Sequence, residues 1–163
     1  MALQTKTIAS ETNSNGFTLK LVLTENSVST TGNTSTVAWE LVMTSGGSDF
    51  STYHVGWDVY LAGTRVSYCS RTDSPQISLG RYSSVTIASG TATVAHNSDG
   101  SLTMTVSAST TMAKESYTPG DMSLSDSMTL TRINRGLVYI DNGSGFEKYQ
   151  CYIDNGSGWD LYS

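Results

Sequence analysis

The sequence has little cysteine, histidine and proline, and these shortages narrow the kind of protein that it encodes. It contains two cysteines, two histidines and two prolines in 163 residues. Cys69 and Cys151 lie far apart and no secretion signal precedes them, so we expect two free thiols and no disulfide. Two isolated cysteines without neighbouring histidines also form a poor ligand set, and we therefore expect no metal and no other cofactor.

Positive charge is also scarce. Nine lysines and arginines stand singly against 14 aspartates and glutamates, which gives a net charge of -5. Without a basic stripe to neutralise phosphates, we expect no nucleic-acid binding, and an anionic membrane surface is disfavoured for the same reason. Residues 1–8 lack the charged and apolar regions of a leader, and no later apolar run approaches the length of a membrane span. We expect a soluble protein, made in a cytoplasm and without membrane insertion.

What the sequence does have is the composition of an all-β protein. About three residues in ten are serine or threonine, and glycine is frequent. No window shows the spacing of an amphipathic helix, whereas predicted strands recur about every eight to twelve residues. The pattern predicts an antiparallel β-sandwich of the immunoglobulin-like kind, with a jelly roll as the alternative.

Three stripes, each with an apolar residue at every second position, define the predicted core strands. They span residues 17–23, 37–43 and 55–61. Trp39 stands within the second stripe, so we expect it to be the central aromatic residue of the core. Ala62 and Gly63 follow the third stripe and predict a tight turn, which makes Val55 to Ser70 a hairpin.

Two further segments carry features that bear on strand pairing. Residues 89–109 contain two alternating segments on either side of Asn97-Ser98-Asp99-Gly100, whose residues favour a tight reversal, and we predict a β-hairpin there. Met122 to Leu130 form the last predicted strand of the domain, in which Asp126 occupies a position of the apolar face. A carboxylate at that position indicates an edge strand, a bulge or a slip of register.

A tandem repeat with a period of thirteen residues follows this domain. VYIDNGSGFEKYQ (138–150) is followed by CYIDNGSGWDLYS (151–163), and each copy reads as two aromatic strands around an Asn-Gly-Ser-Gly turn. We predict an immunoglobulin-like domain over 1–135 and two hairpin repeats over 136–163. The aromatic residues of the repeats form a predicted interaction surface, with contact to glycans as an alternative. They are Tyr139, Phe146, Tyr149, Tyr152, Trp159 and Tyr162.

Four stretches together resemble structural proteins of tailed phages of Gram-positive bacteria. They are MALQTKTI (1–8), VAHNSDGSLTMTVSAS (94–109), MTLTRINRG (128–136) and the YIDNGSG repeats at 139–145 and 152–158. The resemblance implies an immunoglobulin-like domain that ends in a leucine-threonine strand and an Ile-x-Arg exit, followed by terminal repeats. It also implies a virion protein, made in the host bacterial cytoplasm, whose partners are other virion proteins and copies of itself.

No arrangement of residues indicates an enzyme. His54 and His96 stand in no recognisable catalytic motif, so we expect His96 to bond to loop backbone and His54 to be exposed. Asp49, Asp58 and Asp73 show no sign of converging in a cleft, as glycoside hydrolysis requires. We therefore predict no catalytic, cofactor-binding or metal-binding residues.

Two functions remain, and they belong to different classes. The first is a non-enzymatic structural protein of the phage particle, a tail- or capsid-associated module that acts in assembly and surface presentation. The second is a carbohydrate-binding module that attaches to host cell-wall glycans. Its sugar-stacking residues would be the repeat aromatics or the strand that carries Trp57 and Tyr60.

Overall fold

The computed structural model describes residues 3–113, 117–133, 137–141, 143–150, 152–154 and 159–161. These residues form fourteen β-strands and no helix, and thus contain no helix that is long and apolar enough to cross a membrane. The strands are β1 (Thr5–Ala9), β2 (Phe17–Ser29), β3 (Thr34–Ser45), β4 (Phe50–His54), β5 (Gly56–Leu61), β6 (Thr64–Cys69), β7 (Gln76–Leu79), β8 (Ser84–Ala95), β9 (Thr103–Thr111), β10 (Met122–Thr129), β11 (Leu137–Asp141), β12 (Phe146–Gln150), β13 (Tyr152–Asp154) and β14 (Trp159–Leu161). The protein is all-β, as the sequence predicts.

Two four-stranded antiparallel sheets make up the part of the chain that we call the body, residues 3–133. One sheet has the order β1-β2-β3-β8 and the other has the order β10-β9-β5-β6. The buried side chains of both sheets belong to one hydrophobic core. A small additional sheet pairs β4 with β7.

Alternation along the long strands β2 and β3 explains how this core forms. Successive side chains of a strand point to opposite faces, so every second residue of an apolar stripe reaches the same side. Phe17, Leu19, Leu21 and Leu23 are fully buried, while the residues between them are half-buried. Burial of each such side chain is worth about 1.5–3 kcal/mol, which makes these stripes a major source of stability.

Trp39 lies in this core, and its predicted role is confirmed. Its exposed fraction is 3%, and it pairs with Leu23 on β2 and with Gly90 on β8. A Cβ atom added to Gly90 would stand 2.9 Å from Cζ2 of the indole. The ring therefore packs directly over the backbone of β8, at a position where glycine leaves the necessary space.

The segment 89–109 is not a hairpin, and that prediction is wrong. Both strands exist, but β8 pairs with β3 while β9 pairs with β5 and β10, so the two strands belong to different sheets. Asn97 to Gly100 do form the expected reversal, with the Gly100 N–H donating to the Asn97 carbonyl at 2.9 Å. The reversal carries the chain across the core, because alternation identifies a strand without identifying its partner. We call residues 96–102 the arch.

The hairpin predicted for Val55 to Ser70 is confirmed. Strands β5 and β6 pair across Ala62 and Gly63, which have φ values of 49° and 77°. Two consecutive residues in the left-handed region form the turn whose twist matches that of the flanking strands. This accounts for the very short loop.

Strand β10 lies at the edge of its sheet. An edge strand is one of the three explanations that the sequence allows for a carboxylate on the apolar face at Asp126. The pairing of β10 with β9 runs without a shift from Met122 to Thr129, so it contains neither a bulge nor a slip. Asp126 is exposed and pairs with Lys6 of β1 at 2.6 Å, and the Lys6 ammonium also donates to the Ser127 carbonyl at 2.5 Å. The hydrogen bond from Lys6 to the Asp126 carboxylate lowers the pKa of Asp126, which keeps the carboxylate charged. The charged pair covers the open edge of β10.

Replacing Asp126 by valine is expected to promote self-association without unfolding the protein. The substitution completes an apolar stripe on an exposed edge and removes the partner of Lys6, and such edges pair with other chains. Light scattering over a concentration series would measure the effect. Ser125→Val on the outer face of the same strand is the control, and equal association of both variants would contradict the role of the edge.

The backbone of the repeats forms two antiparallel pairs, β11 with β12 and β13 with β14. The side chains of the aromatic residues in these four strands, and Tyr162 altogether, lie outside the described residues. The same is true of residues 134–136, where the domain boundary is predicted. Cys69 is a free thiol, as expected, and Cys151 lies outside the described residues.

Candidate functional site

Glu25 on β2 has a fully buried carboxylate, which lies beside both ends of the body. Glu25 continues the inward positions of Phe17 to Leu23, and the register with β3 shifts just beyond it. Its Oε2 accepts hydrogen bonds from the Thr131 hydroxyl at 2.6 Å, the Thr131 N–H at 3.1 Å and the Gln4 N–H at 3.2 Å. Its Oε1 accepts a hydrogen bond from the Ser35 hydroxyl at 2.7 Å. Four donors thus offset the cost of burying the charge.

His96 extends this network into the arch. Its Nε2 lies 2.8 Å from Ser35 Oγ and its Nδ1 lies 2.9 Å from the Gly100 carbonyl oxygen. A carbonyl oxygen only accepts, so Nδ1 carries a proton and donates it. The predicted bond from His96 to loop backbone is therefore confirmed, while its burial and its contact with Ser35 are new. We call Gln4, Glu25, Ser35, His96 and Thr131 the Glu25 cluster.

The environment of Glu25 lowers its pKa. Burial by itself raises the pKa of a carboxyl group, because it disfavours the charged form. The hydrogen bonds from the hydroxyls of Thr131 and Ser35, and from the N–H groups of Thr131 and Gln4, act in the opposite direction and outweigh burial. The group is therefore an ionised carboxylate at neutral pH.

The Glu25 cluster contains a serine, a histidine and a carboxylate, but their order differs from that of a catalytic triad. In a triad the imidazole lies between the serine and the carboxylate and takes the serine proton. Here Ser35 lies in the middle and donates to Glu25, and the Nδ1 side of His96 faces a carbonyl. Ser35 has no exposed surface. The arrangement is that of a structural network that joins strands.

Both ends of the body meet at this cluster. Gln4 directly precedes β1, Thr131 follows β10, and both donate backbone N–H groups to the same oxygen of Glu25. The Ile133 N–H then donates to the Gly100 carbonyl at 2.9 Å. A Cβ on Gly100 would stand 2.0 Å from the Ile133 carbonyl oxygen, so only glycine allows this contact. The arch and the exit toward the repeats are packed as one joint.

A groove of about 610 Å³ opens at the other end of β3, beyond Ser45. Its lining includes the rings of Phe50, Tyr53 and Tyr117 together with Asp49, Ser51 and Ser78. We call it the tyrosine groove. Strand β3 begins at Thr34 beside the Glu25 cluster and runs for twelve residues, about 36 Å at a rise of 3.3 Å per residue, so the two sites lie at opposite ends of the body.

The structure separates most of the residues that the sequence singles out. His54, the last residue of β4, is exposed, as expected. Its Nδ1 lies 2.5 Å from the Ser74 carbonyl oxygen. The three aspartates stay apart: Asp49 pairs with Arg81, Asp58 pairs with Arg65, and Asp73 bonds to Ser70. Among the described residues no three histidine, cysteine or acidic side chains lie together as a metal site.

The aromatic pair on β5 is engaged in local contacts. The Trp57 indole N–H donates to Ser67 Oγ at 3.0 Å and the side chain packs against the core. The Tyr60 ring lies 5.4 Å from the Arg65 guanidinium, which also donates to its hydroxyl. Both side chains are half-buried and bond to neighbouring residues of β6.

Sequence reasoning missed Glu25, Ser35 and Thr131. The sequence did contain a signal, which was the alternation of side chains along each strand. Glu25 shares the inward face of Phe17 to Leu23, and Ser35 shares that of Val37 to Met43. A polar residue that continues a buried stripe indicates either the end of the core or a buried network. It also missed Tyr53 and Tyr117, which lie far apart in the sequence and meet only in the fold.

Comparison with known proteins points to one family. A family model described as "Siphovirus protein of unknown function (DUF859)" matches residues 9–146. The match covers most of the chain, including the arch, the tyrosine groove and every member of the Glu25 cluster except Gln4. Searches of curated proteins and of solved structures each found no match.

Proposed function

This chain belongs to a family of siphovirus proteins, and from that premise we propose that it is a non-enzymatic structural protein of the virion. In this role it is a tail- or capsid-associated module that acts in assembly and surface presentation, made in the host bacterial cytoplasm. The observation that carries the proposal is the siphovirus family match over residues 9–146. In the proposed arrangement the body is attached at the end where Gln4 and Thr131 meet at Glu25, and it presents its opposite end.

In this proposal the body is an immunoglobulin-like sandwich. Support comes from the strand order, in which β3 lies beside β8 in one sheet and β5 lies beside β9 in the other. The chain passes between the sheets from β3 to β5 and again from β8 to β9. In immunoglobulin-like domains the chain likewise crosses between the two sheets, from strand B to strand C and from strand E to strand F.

The repeats are the proposed contact element. A pair of short hairpins buries little apolar surface by itself, and the six aromatic residues of 136–163 exceed what two such hairpins need. We assign them to contacts with other virion proteins or with copies of this chain. The Ile133 N–H donates to the Gly100 carbonyl, so the segment that leads toward the repeats is held against the arch.

Truncation after Arg135 is expected to leave a folded body that associates less than the full chain. The core and the Glu25 cluster lie within residues 4–133, so the melting temperature should change little. Size-exclusion chromatography with light scattering would measure association, and thermal melts would measure stability.

A full-length variant in which the six repeat aromatics are replaced by serine is the matched control, because it keeps the chain length. It should associate as weakly as the truncated protein. Unfolding of the truncated protein would make the repeats part of the core. Unchanged association would overturn the assembly role of the repeats.

The particle itself tests the structural role. Quantitative mass spectrometry of purified virions should find the protein at a fixed copy number, and cryo-electron microscopy would locate it on tail or capsid. Absence from purified particles would overturn the proposal. Retention on host cell walls that is lost in a Trp159→Ala, Tyr162→Ala variant would instead support a carbohydrate-binding function of the repeats.

A further inference from the structure

The tyrosine groove has the size and shape of a small-ligand site. Its volume of about 610 Å³ lies within the range of 300–1,000 Å³ that is usual for such sites. It lies between the β4–β7 sheet and the segment that carries Tyr117, at the end of the body away from the Glu25 cluster. It is thus on the end that the proposed attachment leaves free.

Its aromatic rings are held in place by one another. Phe17 contacts Phe50 with ring centroids 5.7 Å apart, Phe50 contacts Tyr53 at 6.1 Å, and Tyr53 contacts Tyr117 at 6.1 Å. Phe17 and Phe50 are buried, whereas Tyr117 is 50% exposed. The row therefore begins in the core and ends on the surface, where its outer ring packs against Tyr53. Packing of this kind lowers the entropic cost of binding.

The polar groups of the groove are arranged around these rings. The hydroxyls of Tyr53 and Tyr117 lie 2.5 Å apart, and Ser78 Oγ accepts the Thr52 N–H at 3.1 Å. Thr52 has a φ of 63°, an unusual conformation for a β-branched residue. Strain of this kind persists only where surrounding contacts enforce it, and it is common at binding sites.

Charge restricts the ligand. The lining residues include one carboxylate, that of Asp49, which pairs with Arg81 at 3.3 Å, and the lining itself contains neither a lysine nor an arginine. The protein as a whole carries a net charge of -5. The net negative charge therefore disfavours an anionic polymer, whereas a neutral polar ligand can bond to the hydroxyl and carboxylate oxygens of the lining, each of which accepts more than one hydrogen bond.

We propose that the tyrosine groove binds a neutral oligosaccharide. Sugars present an apolar C–H face, which stacks on an exposed aromatic ring, and a rim of hydroxyls, which bond to groups such as those of Tyr53, Ser51 and Asp49. Tyr117 supplies the ring. This binding function adds to the structural role, and it does not depend on where the protein sits in the particle or on the aromatics of the repeats.

Full-length protein should bind cell walls of the host bacterium in a co-sedimentation assay. Protease-treated walls, peptidoglycan stripped of attached polymers, and the released neutral polysaccharide are the separate probes, and the last two distinguish the sources of the glycan. Tyr117→Ala should weaken binding by about tenfold or more, which corresponds to about 1.4 kcal/mol. Tyr117→Phe keeps the ring and should retain most of the affinity.

Tyr68→Ala is the matched control, because Tyr68 is 57% exposed and lies on β6, outside the groove. Its affinity should equal that of the unmodified protein. Thermal melts of all three variants confirm that each is folded. No binding to any glycan probe, equal losses in Tyr68→Ala and Tyr117→Ala, or binding that disappears when walls are treated with protease would each overturn the proposal.

Discussion

Trp39→Ala is expected to lower the free energy of unfolding by about 3–5 kcal/mol, because it removes a large buried ring and leaves a cavity. The side chain is 3% exposed and lies between β2 and β8 within its sheet. Neighbouring strands hold their spacing through backbone hydrogen bonds, so they cannot collapse to fill the space. Urea unfolding at neutral pH would measure the loss.

Trp39→Phe should cost much less. The indole Nε1 is buried and has no hydrogen-bond partner among the described residues, so phenylalanine removes an unsatisfied donor while keeping most of the apolar surface. Thr36→Ala, on the outer face of the same strand, should cost under about 1 kcal/mol. Similar losses for Trp39→Ala and Thr36→Ala would show that the register of β3 is wrong.

A double-mutant cycle with Gly90 sharpens this test. Gly90→Ala places a Cβ 2.9 Å from Cζ2 and 3.1 Å from Cε2 of Trp39, and the packed indole has little room to move. The smaller ring of Trp39→Phe relieves the clash. Gly90→Ala should therefore destabilise the Trp39→Phe variant less than the unmodified protein, and additive losses would contradict the contact.

Glu25→Ala is expected to have an effect of similar size, about 3–5 kcal/mol, for a different reason. The substitution leaves the buried donors of Ser35 and Thr131 without their acceptor, and it also removes the acceptor of the Gln4 N–H. It also releases the two ends of the body from each other. Faster hydrogen exchange at the Gln4 and Thr131 amides, measured beside urea unfolding, would show that the joint has opened.

The pH dependence of stability isolates the charge of Glu25. Its pKa in the folded state lies below the ordinary glutamate value of 4.5, so the folded state binds the proton less readily than the unfolded state does. The resulting stabilisation is fully present above about pH 4.5 and is lost as the pH falls through the folded-state pKa. Glu25→Gln cannot titrate, so its stability should fall less steeply than that of the unmodified protein on acidification below pH 4.5.

Glu40→Gln is the control for this experiment, since Glu40 is an exposed glutamate on β3. It should keep the acid sensitivity of the unmodified protein. If Glu25→Gln is as sensitive to acid as Glu40→Gln, the carboxylate of Glu25 makes no linked contribution to stability.

Local alternation and turn chemistry determined the strands of this protein. The stripes at 17–23, 37–43 and 55–61 predicted β2, β3 and β5, and Ala62-Gly63 predicted the β5–β6 hairpin. These features depend on residues within a few positions of one another, because the side-chain period of a strand and the backbone of a tight turn are local properties. The same reasoning placed Trp39 in the core.

Only the tertiary structure decided which strands are partners and which polar residues meet. The segment 89–109 alternates as a hairpin does, yet β8 and β9 pair with β3 and β5, since pairing depends on how the whole core packs. Glu25 meets Thr131, and Tyr53 meets Tyr117, across separations of 106 and 64 residues. Periodicity reports the face that a residue occupies, whereas contacts at such separations arise only when two sheets close over a shared core.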